Sequence, residues 1–184
     1  MEYNTDLIEH SLKIWGFDIS EIEIEKVKHI PMHQYKISNK DKTLLYIDNL
    51  QCCVGLYAYG NNFAFAAHIN TVVFDNDEYF LDENRKPIYC NRCYDLYKSI
   101  LNYKGIIKEP FKIGIAIGCS PLNKSEKSMV LLYQGINDII KKLNYLGIPV
   151  IKVEDIIAPE LILDSQTGNI ILPNNNKVKT KYIK

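Results

Sequence analysis

Apolar residues recur at helical spacing in three segments of the chain. In residues 5 to 15, 91 to 104 and 126 to 146 they fall three or four positions apart, so they line one face of a helix. Gly16 and Gly147 follow the first and third segments, and glycine commonly ends a helix because it adopts the left-handed conformation. The pattern predicts three amphipathic helices.

Shorter apolar stretches predict the strands. Residues 54 to 59 and 63 to 68 flank a Gly-Asn-Asn turn whose residues tolerate positive φ, and this arrangement predicts a β-hairpin. Residues 19 to 28 fit either a strand or a short helix, and the polar residues 75 to 88 predict an exposed loop. The remaining predicted strands are residues 33 to 38, 43 to 48, 112 to 118, 148 to 153, 160 to 164 and 169 to 172, the last two forming a hairpin.

This order of elements favours an α+β layered domain over a regular β-α-β alternation. A chain of 184 residues is long enough for one domain with a sizeable core. We expect residues 1 to 28 to form an N-terminal extension of helix and strand, residues 29 to 174 the main domain, and residues 175 to 184 a basic tail.

Charge and composition narrow the function classes. The 22 basic residues balance 22 acidic ones, so the chain has no broad electrostatic footprint for nucleic acid or an anionic membrane. We expect no secretory leader, because residues 1 to 10 lack its basic and apolar regions, and the apolar runs are far shorter than the about 20 residues of a membrane helix. We therefore expect a cytoplasmic protein without nucleic-acid or membrane partners, whose five cysteines are reduced thiols.

The candidate chemistry lies at the two ends of the predicted hairpin. A cysteine nucleophile needs a base to form thiolate, and histidine suits this role because its pKa lies near neutrality. Of the four histidines, only His68 is joined to a cysteine by a short structural element, 15 residues after Cys53. Paired strands lie about 5 Å apart, so the hairpin predicts that the two side chains are close.

The register of the hairpin decides which thiol faces the histidine. A three-residue loop between the strands places Cys52 on the face of His68. A register with Ala58 opposite Phe63 places Cys53 directly opposite the histidine. Buried cysteines and histidines are also ordinary core residues, so the spacing leaves a catalytic and a structural interpretation open.

Metal and redox sites are not expected. Cys90 and Cys93 form a single C-x-x-C, whereas a zinc site usually takes four ligands from two such pairs. Redox C-x-x-C motifs begin a helix after a strand, and this one follows a predicted loop. We expect both cysteines to be core or surface thiols and the protein to use neither metal nor cofactor.

The hairpin segment, CVGLYAYGNNFAFAAHINT, resembles the nucleophile-to-histidine segment of the CheD-type chemoreceptor glutamine deamidases. In that family a Cys-Val pair opens a strand and the return strand ends in a small-Ala-His triplet, here Cys53-Val54 and residues 66 to 68. Three later segments resemble, in the family's order, its central strand, its helix-glycine-strand unit and its closing hairpin: KIGIAIG, NDIIKKLNYLGIPVIKVED and LILDSQTGNIIL. The similarity spans roughly residues 30 to 173.

The resemblance implies a chemotaxis-related fold, an α/β/β sandwich of mixed and antiparallel strands with flanking helices. It implies that the Cys53 thiolate attacks a Gln or Asn carboxamide of a protein or peptide, with His68 as base and then acid. Ammonia leaves, and water hydrolyses the thioester. The valine that follows Cys53 favours this cysteine over Cys52 as the nucleophile.

Several family positions hold different residues here. The family's threonine, six residues before the nucleophile, is replaced by Ile47, and the adjoining Asp48 or Asn49 could orient the histidine instead. The family's glycine- and arginine-rich segment is replaced by residues 156 to 159, so a catalytically inactive CheD-like module that binds a protein partner is the alternative function. Beside Cys53 and His68, the candidate catalytic residues are Asp48 and Cys52, and the candidate substrate-binding residues are Asn49, Gln51, Asn70, Thr71, Gly118 and Cys119.

Overall fold

Two β-sheets pack face to face, and helices cover the outer face of each. A computed structural model describes residues 5–39, 41–60, 62–71, 79–84, 87–103, 110–118, 126–153 and 155–173. Its α-helices are α1 (Thr5–Ile14), α2 (Asn91–Asn102) and α3 (Glu126–Tyr145). Its strands are β1 (Val27–His29), β2 (Tyr35–Asn39), β3 (Leu44–Ile47), β4 (Cys53–Gly60), β5 (Phe63–Asn70), β6 (Tyr79–Leu81), β7 (Pro87–Cys90), β8 (Phe111–Ile117), β9 (Val150–Lys152), β10 (Ile156–Ile157), β11 (Leu161–Asp164) and β12 (Ile170–Ile171).

The larger sheet has the strand order β10-β8-β4-β5-β2, and β9 also pairs with β8. The smaller sheet has the order β1-β3-β11-β12. Both combine parallel and antiparallel pairs: β1 runs parallel to β3, while β4 runs antiparallel to both β5 and β8. The architecture confirms the α+β sandwich predicted from the sequence.

Successive side chains of a strand point to opposite faces of the sheet, so they pack in different layers of the molecule. In β4, Val54 and Leu56 pack with α2 and α3, whereas Cys53 and Tyr57 face the smaller sheet. In β3, Tyr46 belongs to a third cluster that includes side chains of α1. The molecule therefore has four layers, with α2 and α3 on one side and α1 on the other.

The β4–β5 hairpin is confirmed, but both registers expected for it are wrong. Gly60 lies opposite Phe63, so only Asn61 and Asn62 separate the strands, and the register places Gly55 opposite His68. Asn62 has a φ of 61°, a conformation that asparagine tolerates in tight turns. Neither Val54 nor Cys53 lies directly across from the histidine.

Other elements differ locally from the expectations. Residues 75 to 88 are not only loop, because β6 and β7 form a small antiparallel pair in which Tyr79 is fully buried. Residues 72–78 and 85–86 lie outside the described residues. Residues 19 to 26 contain two short 3₁₀ turns, and the expected boundary after residue 28 falls inside β1.

The basic tail expected from residue 175 onwards lies outside the described residues. In the described part of the chain, none of the helices is long and apolar enough to cross a membrane.

Candidate active site

Cys53 and His68 lie on the same face of the β4–β5 hairpin. His68 is opposite Gly55, and Cys53 is two residues from Gly55, so the two side chains are diagonal neighbours. Gly55 carries no side chain between them. Both residues are nearly sealed from solvent, with 2% of Cys53 and 3% of His68 exposed.

The segment 30–34, which leads from β1 to β2, holds His68 from one side. The His33 amide donates to the His68 carbonyl (3.0 Å), and the His68 amide donates to the Gln34 carbonyl (3.0 Å). The imidazole Nδ1 lies 3.3 Å from the carbonyl oxygen of Ile30. A carbonyl only accepts, so Nδ1 carries the proton and the neutral ring has its lone pair on Nε2.

The other ring nitrogen is kept available for proton transfer. His68 Nε2 is buried and has no hydrogen-bond partner among the described residues. Burial lowers the pKa of His68, although the charge of Asp48 and the Ile30 carbonyl act in the opposite direction. The imidazole is therefore neutral at pH 7, and Nε2 can accept a proton.

Asp48 lies behind the imidazole and joins two histidines. Its Oδ1 is 2.8 Å from His29 Nε2 and 4.0 Å from His68 Nδ1. Burial alone would raise the pKa of Asp48, but the hydrogen bond and charge of His29, with the charge of His68, hold it below the usual value. The carboxylate is thus ionised, so His29 Nε2 donates to it.

His29 is not among the site residues predicted from the sequence. It ends β1, which pairs in parallel with β3 and places His29 beside Tyr46, two residues before Asp48. In the sequence His29 only follows residues 19 to 28, which fit either a strand or a short helix, and this position carries no information about its partner.

Three sulfur atoms meet at the start of β4. Cys53 Sγ lies 3.7 Å from Met32 Sδ and 3.9 Å from Cys52 Sγ. Met32 belongs to the segment 30–34 and is 44% exposed, so a partly exposed side chain contacts the buried Cys53 thiol. Cys52 is half-buried. We call Met32, Cys52 and Cys53 the sulfur cluster; the role of Met32 in it was not predicted.

The turn before Cys53 packs against the end of β8. The Leu50 amide donates to the Pro159 carbonyl (2.7 Å), and the Cys53 amide donates to the Leu50 carbonyl (3.3 Å). A Cβ added to Gly118 would lie 1.8 Å from the Leu50 oxygen, so only glycine allows this approach. Gly118 therefore fixes the turn, and Cys119 lies outside the described residues.

Asn70, the last residue of β5, and Thr71, which follows it, lie beside Cys53 and Cys52. The Thr71 hydroxyl donates to the Cys52 carbonyl (2.8 Å), and the Thr71 carbonyl accepts from the Ser128 hydroxyl of α3 (3.1 Å). Thr71 is fully buried, so this hydrogen bond holds the turn that precedes Cys53 from inside the core. Asn70 lies directly opposite Cys53 and is half-buried, so it faces the same side as the thiol.

The remaining candidate residues, Gln51 and Asn49, have different surroundings. Gln51 is exposed in the turn. Asn49 has a φ of 50°, and its amide lies 3.3 Å from Oε1 of Glu160, a fully buried carboxyl not predicted as part of the site. Glu160 Oε2 accepts a 2.5 Å hydrogen bond from the Tyr46 hydroxyl. Burial raises the pKa of Glu160 to about 8.

The C-x-x-C cysteines are core thiols, one of the two expected outcomes. Both are fully buried, and the hydrogen bond with Cys90 together with burial raises the pKa of Cys93. The expectation that a loop precedes them is wrong, because Cys90 ends β7 and α2 begins at Asn91. Within the described ranges, His, Cys, Asp and Glu side chains form no group of three or more able to hold a metal ion.

The chain matches no known protein-family model, and no curated protein is similar to it. The likeness to the CheD-type deamidases therefore stays a resemblance of motifs and their order.

Proposed function

We propose that this protein is a cysteine amidohydrolase that acts on the carboxamide of Gln or Asn in a protein or peptide. The observation that carries the proposal is the state of His68, whose Nδ1 is held by the Ile30 carbonyl while Nε2 is buried without a partner among the described residues. The His68 side chain is on the face of the hairpin that carries Cys53. A base held in one tautomer beside a thiol is what nucleophilic catalysis requires.

In the first half of the proposed reaction, His68 Nε2 takes the proton of the Cys53 thiol, and the thiolate attacks the carboxamide carbon. The imidazolium then transfers this proton to the amide nitrogen, the C–N bond breaks and ammonia leaves. In the second half, Nε2 removes a proton from water, which attacks the thioester. The C–S bond breaks, the thiol regains its proton and a carboxylate product results.

Two neighbours have supporting roles in this proposal. Asp48 stabilises the imidazolium that forms during proton transfer, because its carboxylate lies 4.0 Å from Nδ1. Asn70, opposite Cys53, is suited to donate its side-chain amide to the developing oxyanion. The substrate reaches the thiol once the partly exposed Met32 side chain moves aside. We assign the reaction to the cytoplasm, where thiols stay reduced.

Ammonia release from pools of Gln- and Asn-containing peptides tests the proposal. We expect release by the unaltered protein, none above background for Cys53→Ala, and retained release for Cys52→Ala as the matched control. Cys52 is adjacent to Cys53 in sequence, and its sulfur lies 3.9 Å from the Cys53 sulfur. Loss of activity in Cys52→Ala with retention in Cys53→Ala would make the assignment of the nucleophile wrong.

The second candidate is a non-catalytic module that binds a protein partner. The observation in its favour is the 2% exposure of Cys53, which is low for a nucleophile. This function predicts no ammonia release from any peptide and partner capture from the native extract that is the same for the unaltered protein and Cys53→Ala. Dependence of capture on Cys53 would speak against it.

A further inference from the structure

The sulfur cluster brings together three soft donor atoms from two separate segments of the chain. Cys53 Sγ is 3.9 Å from Cys52 Sγ and 3.7 Å from Met32 Sδ. Three ligands around a trigonal metal with bonds of about 2.3 Å lie about 4.0 Å from one another. The two separations from Cys53 Sγ match that spacing, so each of these pairs is already at the distance that a shared ion requires.

We propose that Met32, Cys52 and Cys53 form a binding site for a soft monovalent metal ion, Cu(I). Thiolate and thioether are the ligands that favour Cu(I), because polarisable sulfur matches a soft ion. The site shares the Cys53 thiol with the proposed hydrolysis, but the spacing of the sulfur atoms that supports it does not depend on that reaction.

The ligand set selects Cu(I) over zinc. Zinc in proteins takes four ligands from cysteine, histidine and carboxylate, and a thioether is not among them. The described residues contain no group of three or more His, Cys, Asp and Glu that is able to hold a metal. The sulfur cluster supplies three donors, one of them a thioether.

The exposure of the sulfur cluster allows an ion to enter, and a nearby base can accept a released proton. Met32 is 44% exposed and Cys52 is half-buried, so two of the three ligands reach solvent. Binding replaces the two thiol protons, Cu(I) joining two thiolates and one thioether with the release of two protons and no change of oxidation state. The unpartnered Nε2 of His68 is a nearby acceptor for one of these protons.

Anaerobic titration of the full chain with Cu(I), in competition with the chromophoric chelator bicinchoninate, tests the site. We expect Met32→Leu, which keeps size but removes the sulfur, to weaken Cu(I) binding about tenfold or more, and Cys52→Ser to weaken it further. The matched control is the double variant Cys90→Ser/Cys93→Ser, which removes the other pair of thiols and should leave the affinity unchanged.

The result that overturns the proposal is unchanged Cu(I) affinity in both Met32→Leu and Cys52→Ser, or loss of binding in the Cys90/Cys93 variant alone. Circular dichroism confirms that each variant is folded. Met32→Leu is the decisive variant because a partly exposed, nearly isosteric replacement leaves the core intact. A parallel titration with Zn(II) should show weaker binding that does not depend on Met32.

Discussion

At the scale of single residues, His68 has two nitrogens in different surroundings. Nδ1 faces the Ile30 carbonyl and Asp48, whereas Nε2 is buried and unpartnered among the described residues. This asymmetry fixes the tautomer and makes Nε2 the basic position. Because burial lowers the pKa of His68, the base form persists to mildly acidic pH.

Asp48→Asn should slow ammonia release about tenfold or more, because the variant lacks the charge that stabilises the imidazolium. The charge of Asp48 raises the pKa of His68, so its removal should move the acid limb of the kcat/KM profile to lower pH. A pH series of initial rates for both proteins measures the two effects. An unchanged rate and an unchanged acid limb would contradict a role for Asp48.

Met32→Ala should increase the rate at which iodoacetamide alkylates Cys53, because it removes a partly exposed side chain that contacts the thiol. The matched control is Ile37→Ala on β2, since Ile37 is 41% exposed and Met32 44%. Mass spectrometry of the modified peptide against time gives both rates. Equal acceleration in the two variants would mean that general loosening, rather than uncovering of the thiol, is responsible.

The sequence predicted the Cys53–His68 pair because one short hairpin carries both residues. It also suggested Asp48, which adjoins the replaced threonine position. His29, Met32 and Glu160 escaped prediction because each reaches the site from a segment distant in sequence. Spacing along the chain contains no information about such contacts.

At the scale of elements, the hairpin was predictable but its register was not. Six consecutive residues at the start of β4 and seven at the start of β5 are buried. A strand covered on both faces shows no alternation of polar and apolar residues, so the pattern that normally fixes register is missing. The tighter turn, with β4 extending to Gly60, set the register instead.

Gly118→Ala should lower the free energy of unfolding by several kcal/mol, because the new Cβ would lie 1.8 Å from the Leu50 oxygen and the backbone must move. The matched control is Gly147→Ala, where φ is 75° and nothing lies within 4 Å. There we expect only the conformational cost, about 1–2 kcal/mol. Urea denaturation measures both, and equal losses would contradict the close approach at Gly118.

The helices and most strands were predictable from the spacing of apolar residues, because this pattern is visible in the sequence without knowing what the element packs against. The β6–β7 pair did not, because Tyr79 is one apolar position within a polar stretch and its burial depends on packing elsewhere. Strand β10 is only two residues long and pairs with β8, so its sequence signal is too short to recognise.

At the scale of the whole molecule, Glu160 connects the layers around the smaller sheet. The Glu160 carboxyl accepts a hydrogen bond from the Tyr46 hydroxyl of β3, and that hydroxyl lies 3.0 Å from the Ser11 hydroxyl of α1. The same carboxyl accepts a hydrogen bond from the Asn49 amide beside the candidate site. The N-terminal helix is thus tied to the outer face of this sheet and does not cover Cys53.

Glu160→Gln should remove a pH dependence of stability. Burial raises the pKa of Glu160 from 4.5 to about 8, so the folded protein binds this proton more tightly than the unfolded chain does. The contribution to stability is complete below pH 4.5 and is lost as pH rises through about 8. The glutamine side chain stays neutral at every pH and retains one carbonyl oxygen as a hydrogen-bond acceptor. The variant should therefore lose less stability than the unaltered protein as the pH rises from about 5 to about 8.

Denaturation midpoints in urea across that range give the comparison. Parallel pH profiles for the two proteins would mean that Glu160 is already ionised in the folded state.

The pairing of Cys53 with His68 is tested by the alkylation rate of Cys53 at pH 7, measured in a Cys52→Ala background to remove the adjacent thiol. We predict that adding His68→Gln lowers the rate about tenfold or more, because the base that generates thiolate is gone. Equal rates with and without His68, in proteins that are both folded by circular dichroism, would contradict the pairing.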